Sequence, residues 1–255
     1  MAKPLAGTLV LSLDQAVAAP LTSRKLADAG ARVIKLERPE GDFARDYDRL
    51  IKGQCTHFVW LNRGKESVVA DLTKAEDRRL FEAIVAKADV LVQNLKPGAL
   101  AKLGFPMETL RKRYPKLICC SISGYGDEGP FRDRKAYDLL IQAESGLASV
   151  TGSAEAPARV GISCVDICSG MNAYEAILEA LSRRLEAAEI AFARVNDIEG
   201  VLRHPHLRRL TVESPGGPIE LPSPPARWMG EPAPSFGPLP ALGEHTQAER
   251  REFLG

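Results

Sequence analysis

The chain has 255 residues, a formal net charge of +1, 45% hydrophobic residues and 26% charged residues, enough apolar material to bury a core in one large domain or two small ones. The near-neutral balance gives no electrostatic footprint for nucleic acid, and no apolar run approaches the roughly 18 residues that a membrane span needs. The opening MAKPLAGTLVLSLDQAVAAP lacks the basic stretch and long apolar core of a secretion signal, so a cytosolic protein is expected.

Gly7–Leu13 (GTLVLSL) reads as a buried strand. Leu21–Ala29, opened by Pro20 and stopped by Gly30, reads as a helix, and Ala31–Leu36 as a second strand. Strand, helix, strand with so short a connection predicts a parallel βαβ unit. The pattern continues with a strand over Ser67–Leu72, then a helix to about Ala88 capped by Thr73 with Glu76 as its capping-box partner. Asp89–Gln93 is a strand, Ala99–Leu103 a helical turn, Met107–Tyr114 a helix and Leu117–Ser123 a strand. A Gly- and Pro-containing loop over Gly124–Arg134 leads into helices at Tyr137–Leu147 and Asp166–Arg184. Strands alternating with helices predict an α/β fold, a mostly parallel sheet with flanking helices. Beyond Arg184 the readings are a helical extension over Leu185–Ala191, a short helix at Asp197–Leu202, a hairpin of Arg209–Glu213 with Pro218–Leu221, and an extended Pro-rich tail over Pro222–Pro240. The expected division is residues 1–184 as the large domain and 185–255 as a C-terminal segment packed on it.

Five cysteines contain no CxxC pair. Cys164 and Cys168 are four apart, which suits two ligands on a helix, but no second Cys or His pair lies nearby. No metal is expected, and the thiols read as buried and reduced. The βαβ opening lacks a Gly-rich dinucleotide fingerprint, so it does not predict NAD binding. His204, His206 and His245 show no catalytic or metal pattern. The run VGISCVDICSGM (Val160–Met171) sets one carboxylate, Asp166, among small and apolar residues at a helix start. On the residues alone it is an N-cap or a functional acid.

Several segments in order, QAVAAP (Gln15–Pro20), LADAGARVIKLERPEGDFAR (Leu26–Arg45), LNRGKESVVADL (Leu61–Leu72), ADVLVQNLKPGALAKLGF (Ala88–Phe105), SISGYGDEGP (Ser121–Pro130), KAYDLLIQAESGL (Lys135–Leu147) and GEHT (Gly243–Thr246), resemble the family III CoA-transferases. The resemblance implies a Rossmann-like large domain, an acyl-CoA and a carboxylic acid as substrates, no tightly bound cofactor, and a homodimer of interlocked chains. It also implies that Asp166 is the nucleophile, attacking the thioester carbonyl to form first a mixed anhydride and then an aspartyl-CoA thioester. The positive end of the helix would keep that carboxylate ionised, while the small residues Gly161, Ser163, Ser169 and Gly170 let the thioester approach and offer N–H groups to an oxyanion.

The same resemblance places Arg38 at the adenine and phosphate end of CoA, where a guanidinium can stack or bind phosphate. Leu72, Asn94 and Lys102 line the nucleotide and pantetheine groove, and Lys135 meets a CoA phosphate; Leu72 reads equally as core and Lys102 equally as a solvated charge. The related racemases carry His-Asp where this chain has Tyr137-Asp138. A phenol is a poor base near neutral pH, so CoA transfer is favoured over racemisation. Asp138 either orients the site or caps its own helix. Val17 stands where some transferases carry a glutamine that contacts the bound intermediate. FVWLNRGKES (Phe58–Ser67) most resembles transferases of short dicarboxylic acids, with Arg45, Arg63 and His57 as candidate partners for a second carboxylate.

Family members continue past the long helix into a smaller domain whose Gly-rich loop closes over the site. Here LEAAEIAFARVNDIEGVLRHP (Leu185–Pro205) follows at once and resembles the segment beyond that domain. The expectation is therefore a chain lacking its small middle domain, without the usual lid or interlocked dimer. A CoA-binding remnant without activity is the alternative reading.

Overall fold

In the structure, a computed structural model, residues 3–185, 191–193, 209–222, 226–228 and 237–239 are described. Five parallel strands, β1 (Leu9–Leu13), β2 (Arg32–Glu37), β3 (Lys65–Val69), β4 (Val90–Gln93) and β5 (Ile118–Ser121), form one sheet in the order β3-β2-β1-β4-β5. The α/β reading with a mostly parallel sheet holds.

Successive side chains of a strand face opposite ways, and the sequence supplies apolar residues to both sides. Val10, Val33, Val90, Val92 and Cys120 pack under α1 (Ala18–Asp28) and α8 (Cys164–Leu185). Leu11, Ile34, Leu36, Leu91 and Cys119 pack under α3 (Ala75–Val85), α4 (Ala99–Lys102) and α5 (Met107–Arg113). A parallel sheet buried on both faces needs such near-continuous apolar runs. Helix α1 closes with the hydrogen-bond pattern of a glycine stop: Ala31 N donates to Leu26 O at 3.0 Å, Gly30 N donates to Ala27 O at 2.9 Å, and Gly30 takes φ +106°.

Helix α8 crosses α1 closely at Gly170, where a Cβ would meet Ala18 O at 2.5 Å and Leu21 Cβ at 3.0 Å. Gly170 is therefore small for helix packing, not for substrate approach as the sequence reading held. Gly170→Ala is expected to destabilise the fold by about 1–3 kcal/mol through overpacking, read by urea unfolding.

Several elements depart from expectation. Strand β3 begins two residues early and ends three early, because it is a half-exposed edge strand with little apolar signal. Thr73 does not cap α3. Its N–H and hydroxyl both go to Asp71 Oδ1, at 3.0 and 2.6 Å, and Lys74 precedes the helix. Unforeseen are a 3-10 turn (Phe43–Asp46) and α2 (Thr56–Asn62). The helix expected over Tyr137–Leu147 is split at Gly146 into α6 (Asp138–Glu144) and α7 (Leu147–Val150). Of the helical extension expected over Leu185–Ala191, residues 186–190 lie outside the described residues and Ala191 opens strand β6 (Ala191–Ala193), which pairs antiparallel with β9 (Ala226–Trp228), inside the stretch expected to be an extended tail. The hairpin forms as β7 (Arg209–Val212) and β8 (Ile219–Pro222). The helix expected at Asp197–Leu202 and the three C-terminal histidines lie outside the described residues. No described helix is long and apolar enough to cross a membrane.

A buried ionic cluster ties the carboxyl ends of β1 and β2 to the first residue of β3. Lys35 bonds Asp14 and, at 2.9 Å, Asp42; Lys65 reaches Asp14 at 3.1 Å, and Ser12 and Ser23 donate to the same carboxylate. Despite full burial, Lys65 and Lys35 hold the Asp14 carboxyl well below its usual range. Burial, with Lys35 alongside, lowers Lys65 to about 8.

Candidate active site

The strand order reverses between β1 and β4, so the chain segments leaving these strands diverge and open a crevice beyond their carboxyl ends. Asn94, just after β4, spans the gap: its side chain accepts from Gln15 N at 2.9 Å and donates to Gln15 O at 2.8 Å. Two cavities adjoin there, with Gln15 and Leu95 in the walls of both. The larger, about 810 Å³, includes Asn94, Lys96, Lys135, Tyr137, Asp166 and Ser169 in its lining. The smaller, about 350 Å³, includes Arg38, Leu72, Asp71 and Ala99.

Six of the seven expected site residues are thus gathered around one crevice, with Asp138 directly behind its wall. Asn94 lines it, but its side chain is engaged with the Gln15 backbone and so ties the segments after β1 and β4 together. Asn94→Ala is expected to raise Gln15 amide exchange about tenfold by removing that acceptor, read by hydrogen exchange. Leu72 is both core and lining. Arg38 is exposed, with its Nε donating to Gly41 O at 3.1 Å. Lys102 is the exception: it is exposed at the end of α4 and lines neither cavity, although Ala99 and Leu103 of the same turn line the smaller one.

Asp166 is the third residue of α8, half-buried, and faces the large cavity. It is not a cap. The capping carboxylate is Asp138, from α6, whose Oδ1 accepts from Val165 N at 2.9 Å and Asp166 N at 3.3 Å. Among the described residues nothing donates to the Asp166 carboxylate. Burial, then the nearby Asp138 charge, push its carboxyl up to about 7. The expected dipole effect is therefore outweighed by lost hydration and a like charge. Asp138 in turn is fixed by Gln142 Nε2 at 2.6 Å. Gln142 also accepts from Val160 N at 2.8 Å and reaches Ile162 O at 3.4 Å.

The candidate partners for a second carboxylate fare differently. Arg45 is ion-paired with Glu37 at 2.6 Å and stacked on Phe58. Arg63 is paired with Asp28 at 2.8 Å at the far end of α1. His57 sits in an exposed aromatic row with Tyr47 and Trp60. The cavity's cations are instead Lys96, Arg132, Arg134 and Lys135. The first three were missed; the Gly- and Pro-containing loop that carries Arg132 and Arg134 was the available signal. Burial, with the Asp42 and Asp166 charges, pushes the Tyr47 phenol up to about 12, and Tyr47 lines neither cavity. Cys168 is exposed and lines the cavity, unlike the buried thiol expected. Asp48, Cys55 and His57 bring ligand atoms within 4.8 Å of one another, but Asp48 is already engaged by Thr56 N at 3.0 Å and Thr56 Oγ1 at 2.6 Å, which close its own loop.

Comparison with known proteins matches residues 5–186 to CoA-transferase family III. The acetyl-CoA:oxalate CoA-transferase of Acetobacter aceti is 40% identical over 202 residues, 78% of this chain and 52% of that protein. The succinyl-CoA:glutarate CoA-transferase of Mus musculus is 36% identical over 197 residues, 76% of this chain and 45% of that one. A crystal structure of a CAIB/BAIF family protein from Brucella suis superposes with a TM-score of 0.72 at 31% identity, covering 88% of this chain and 67% of that one. The chain spans about half the length of the curated relatives it matches. With its parallel sheet, its switch-point crevice and a family match over most of its length, the chain belongs to CoA-transferase family III.

Proposed function

We propose that the chain binds an acyl-CoA across the two adjoining cavities and moves CoA between a short dicarboxylic acyl-CoA and a carboxylic acid, with Asp166 as nucleophile. The observation that carries this reading is Asp166, on the wall of the larger cavity with its carboxyl at about 7, beside a second cavity holding Arg38 and Leu72. In the ionised form an Asp166 oxygen attacks the thioester carbonyl carbon. The C–S bond breaks, CoA leaves as the thiolate and a mixed anhydride remains. The thiolate then attacks Cγ of Asp166, the acyl group leaves as a free carboxylate, and an aspartyl-CoA thioester forms. The acceptor acid reverses these steps and takes the CoA. CoA is a substrate throughout, and the route needs no resident cofactor.

Arg38 takes the adenine and phosphate end in the smaller cavity. Lys135 and its neighbours Lys96 and Arg132 supply positive charge for phosphate and for the substrate's second carboxylate. The oxalate and glutarate in the relatives' names support a dicarboxylic substrate. The test is chromatography of products after incubation with succinyl-CoA and isotopically labelled glutarate or oxalate. Labelled acyl-CoA formed by the unaltered chain and not by Asp166→Ala supports the reading; equal product from both contradicts it.

The raised Asp166 carboxyl also sets a pH dependence. Only the ionised form attacks, so the rate of Asp166 acylation is expected to rise about tenfold between pH 6 and pH 8, read by stopped reactions with succinyl-CoA. A second reading, a non-catalytic CoA-binding remnant or one that folds only with a partner chain, is favoured by the half-length match and by exposed Leu139, Leu140, Val150 and Ile162. Light scattering with and without CoA separates a stable monomer from an association-prone one.

A further inference from the structure

Gln142 is fully buried on α6, with 0% of its surface exposed. A buried amide is retained only where each end finds a partner. Here Nε2 donates to Asp138 Oδ2 at 2.6 Å and to Ile162 O at 3.4 Å, while Oε1 accepts from Val160 N at 2.8 Å. One side chain therefore joins a helix to the loop that leads into α8.

The other oxygen of Asp138 accepts from Val165 N and Asp166 N, at 2.9 and 3.3 Å. These belong to the first turn of α8 and have no acceptor within their own helix. Asp138 lies one turn before Gln142 on α6, so the amide holds one carboxylate oxygen while the other faces α8. We infer that Gln142 is the positioning residue for Asp166, acting through the Asp138 carboxylate and the Val160–Ile162 loop, an inference that rests on the nucleophile role proposed for Asp166. It touches neither substrate nor reacting atoms. It fixes where the first turn of α8 begins, and with it the direction in which the Asp166 carboxylate enters the cavity.

The chemistry of the pair separates this role from simple core filling. Methionine keeps the volume and removes all three hydrogen bonds. Glutamate keeps an acceptor for Val160 N but sets a carboxylate in place of the donor that Asp138 needs.

The test combines residue-resolved amide hydrogen exchange with the rate of Asp166 acylation by succinyl-CoA, on the unaltered chain, Gln142→Met and Gln142→Glu. In the unaltered chain, Val165 and Asp166 amides are expected to exchange slowly despite their place in a first helical turn. In Gln142→Met, exchange at Val160, Val165 and Asp166 is expected to rise, and the maximal acylation rate to fall about 10- to 100-fold with the half-saturating succinyl-CoA concentration unchanged. In Gln142→Glu, Val160 is expected to stay protected while Val165 and Asp166 do not. Unprotected Val165 and Asp166 amides in the unaltered chain overturn the inference without any variant. Acylation by Gln142→Met at the unaltered rate overturns the role of Gln142 alone. No acylation of the unaltered chain overturns the assignment of Asp166, and the positioning role with it.

Discussion

At pH 8 the Asp166→Asn chain is expected to be more stable than the unaltered one by about 2–4 kcal/mol, and to have lost acylation altogether. The Asp166 carboxyl is raised to about 7 in the fold, against about 4 in an unfolded chain. Between those values the folded state holds a proton that the unfolded state has released, so stability falls as pH rises through this window. Asparagine stays neutral throughout and escapes that loss. Its advantage is therefore near zero at pH 4 and complete above pH 7. Three units of separation set an upper bound of about 4 kcal/mol, which the half-buried position reduces. Urea unfolding of both proteins at pH 5 and pH 8 reads the difference. A gap that does not widen with pH contradicts the account. The expectation joins structure to chemistry: a carboxylate with no donor among the described residues is poorly stabilised in the free protein, and attack on a thioester disperses its charge.

The second large effect lies in the ionic cluster below the smaller cavity. Lys35→Met is expected to destabilise the fold by about 3–5 kcal/mol, because it leaves buried carboxylates short of a partner. Lys35 is 1% exposed, and its ammonium is the only one shared by Asp14 and Asp42 among the described residues. Asp14 also anchors Ser23 of α1, and Asp42 accepts from Ala16 N at 3.3 Å and Ala44 N at 3.0 Å. Removing the lysine therefore loosens the loop after β1 that lines both cavities. The Asp14 carboxyl is depressed in the fold. Its stabilisation is thus complete above the ordinary aspartate value and is lost as pH falls below it. Chemical denaturation at neutral pH checks the magnitude. A loss under about 1 kcal/mol would show that the cluster relaxes around the missing charge.

What the sequence made legible follows where its signals are local. Strands β1, β4 and β5 are short, mostly apolar runs, β2 carries Val33, Ile34 and Leu36 between charged residues, and α1 ends on a glycine in a conformation that glycine adopts freely. Strand β3 was displaced because an edge strand alternates too weakly to mark its ends. Residue Thr73 was misread because Asp71 competes for it two residues away, and a capping box cannot be told from an Asp-led turn by spacing alone. Asp166 was reached through resemblance. Its raised carboxyl and its freedom from capping were not, since the first comes from burial in the fold and then from Asp138, and Asp138, 28 positions earlier, also supplies the cap. The ion pairs that take Arg45 and Arg63 out of consideration, and the Asn94 clamp on Gln15, also join residues far apart in the chain or across a turn. Periodicity reads the faces of elements. It does not read which ends of those elements meet.

The most direct measurement is intact mass followed by peptide mapping, on protein incubated with succinyl-CoA at pH 8 and quenched with borohydride or hydroxylamine. The account predicts a modification confined to Asp166, absent in Asp166→Ala and suppressed at pH 5. Folded, CoA-binding protein with no modification at Asp166, or with a modification that persists in Asp166→Ala, would contradict it.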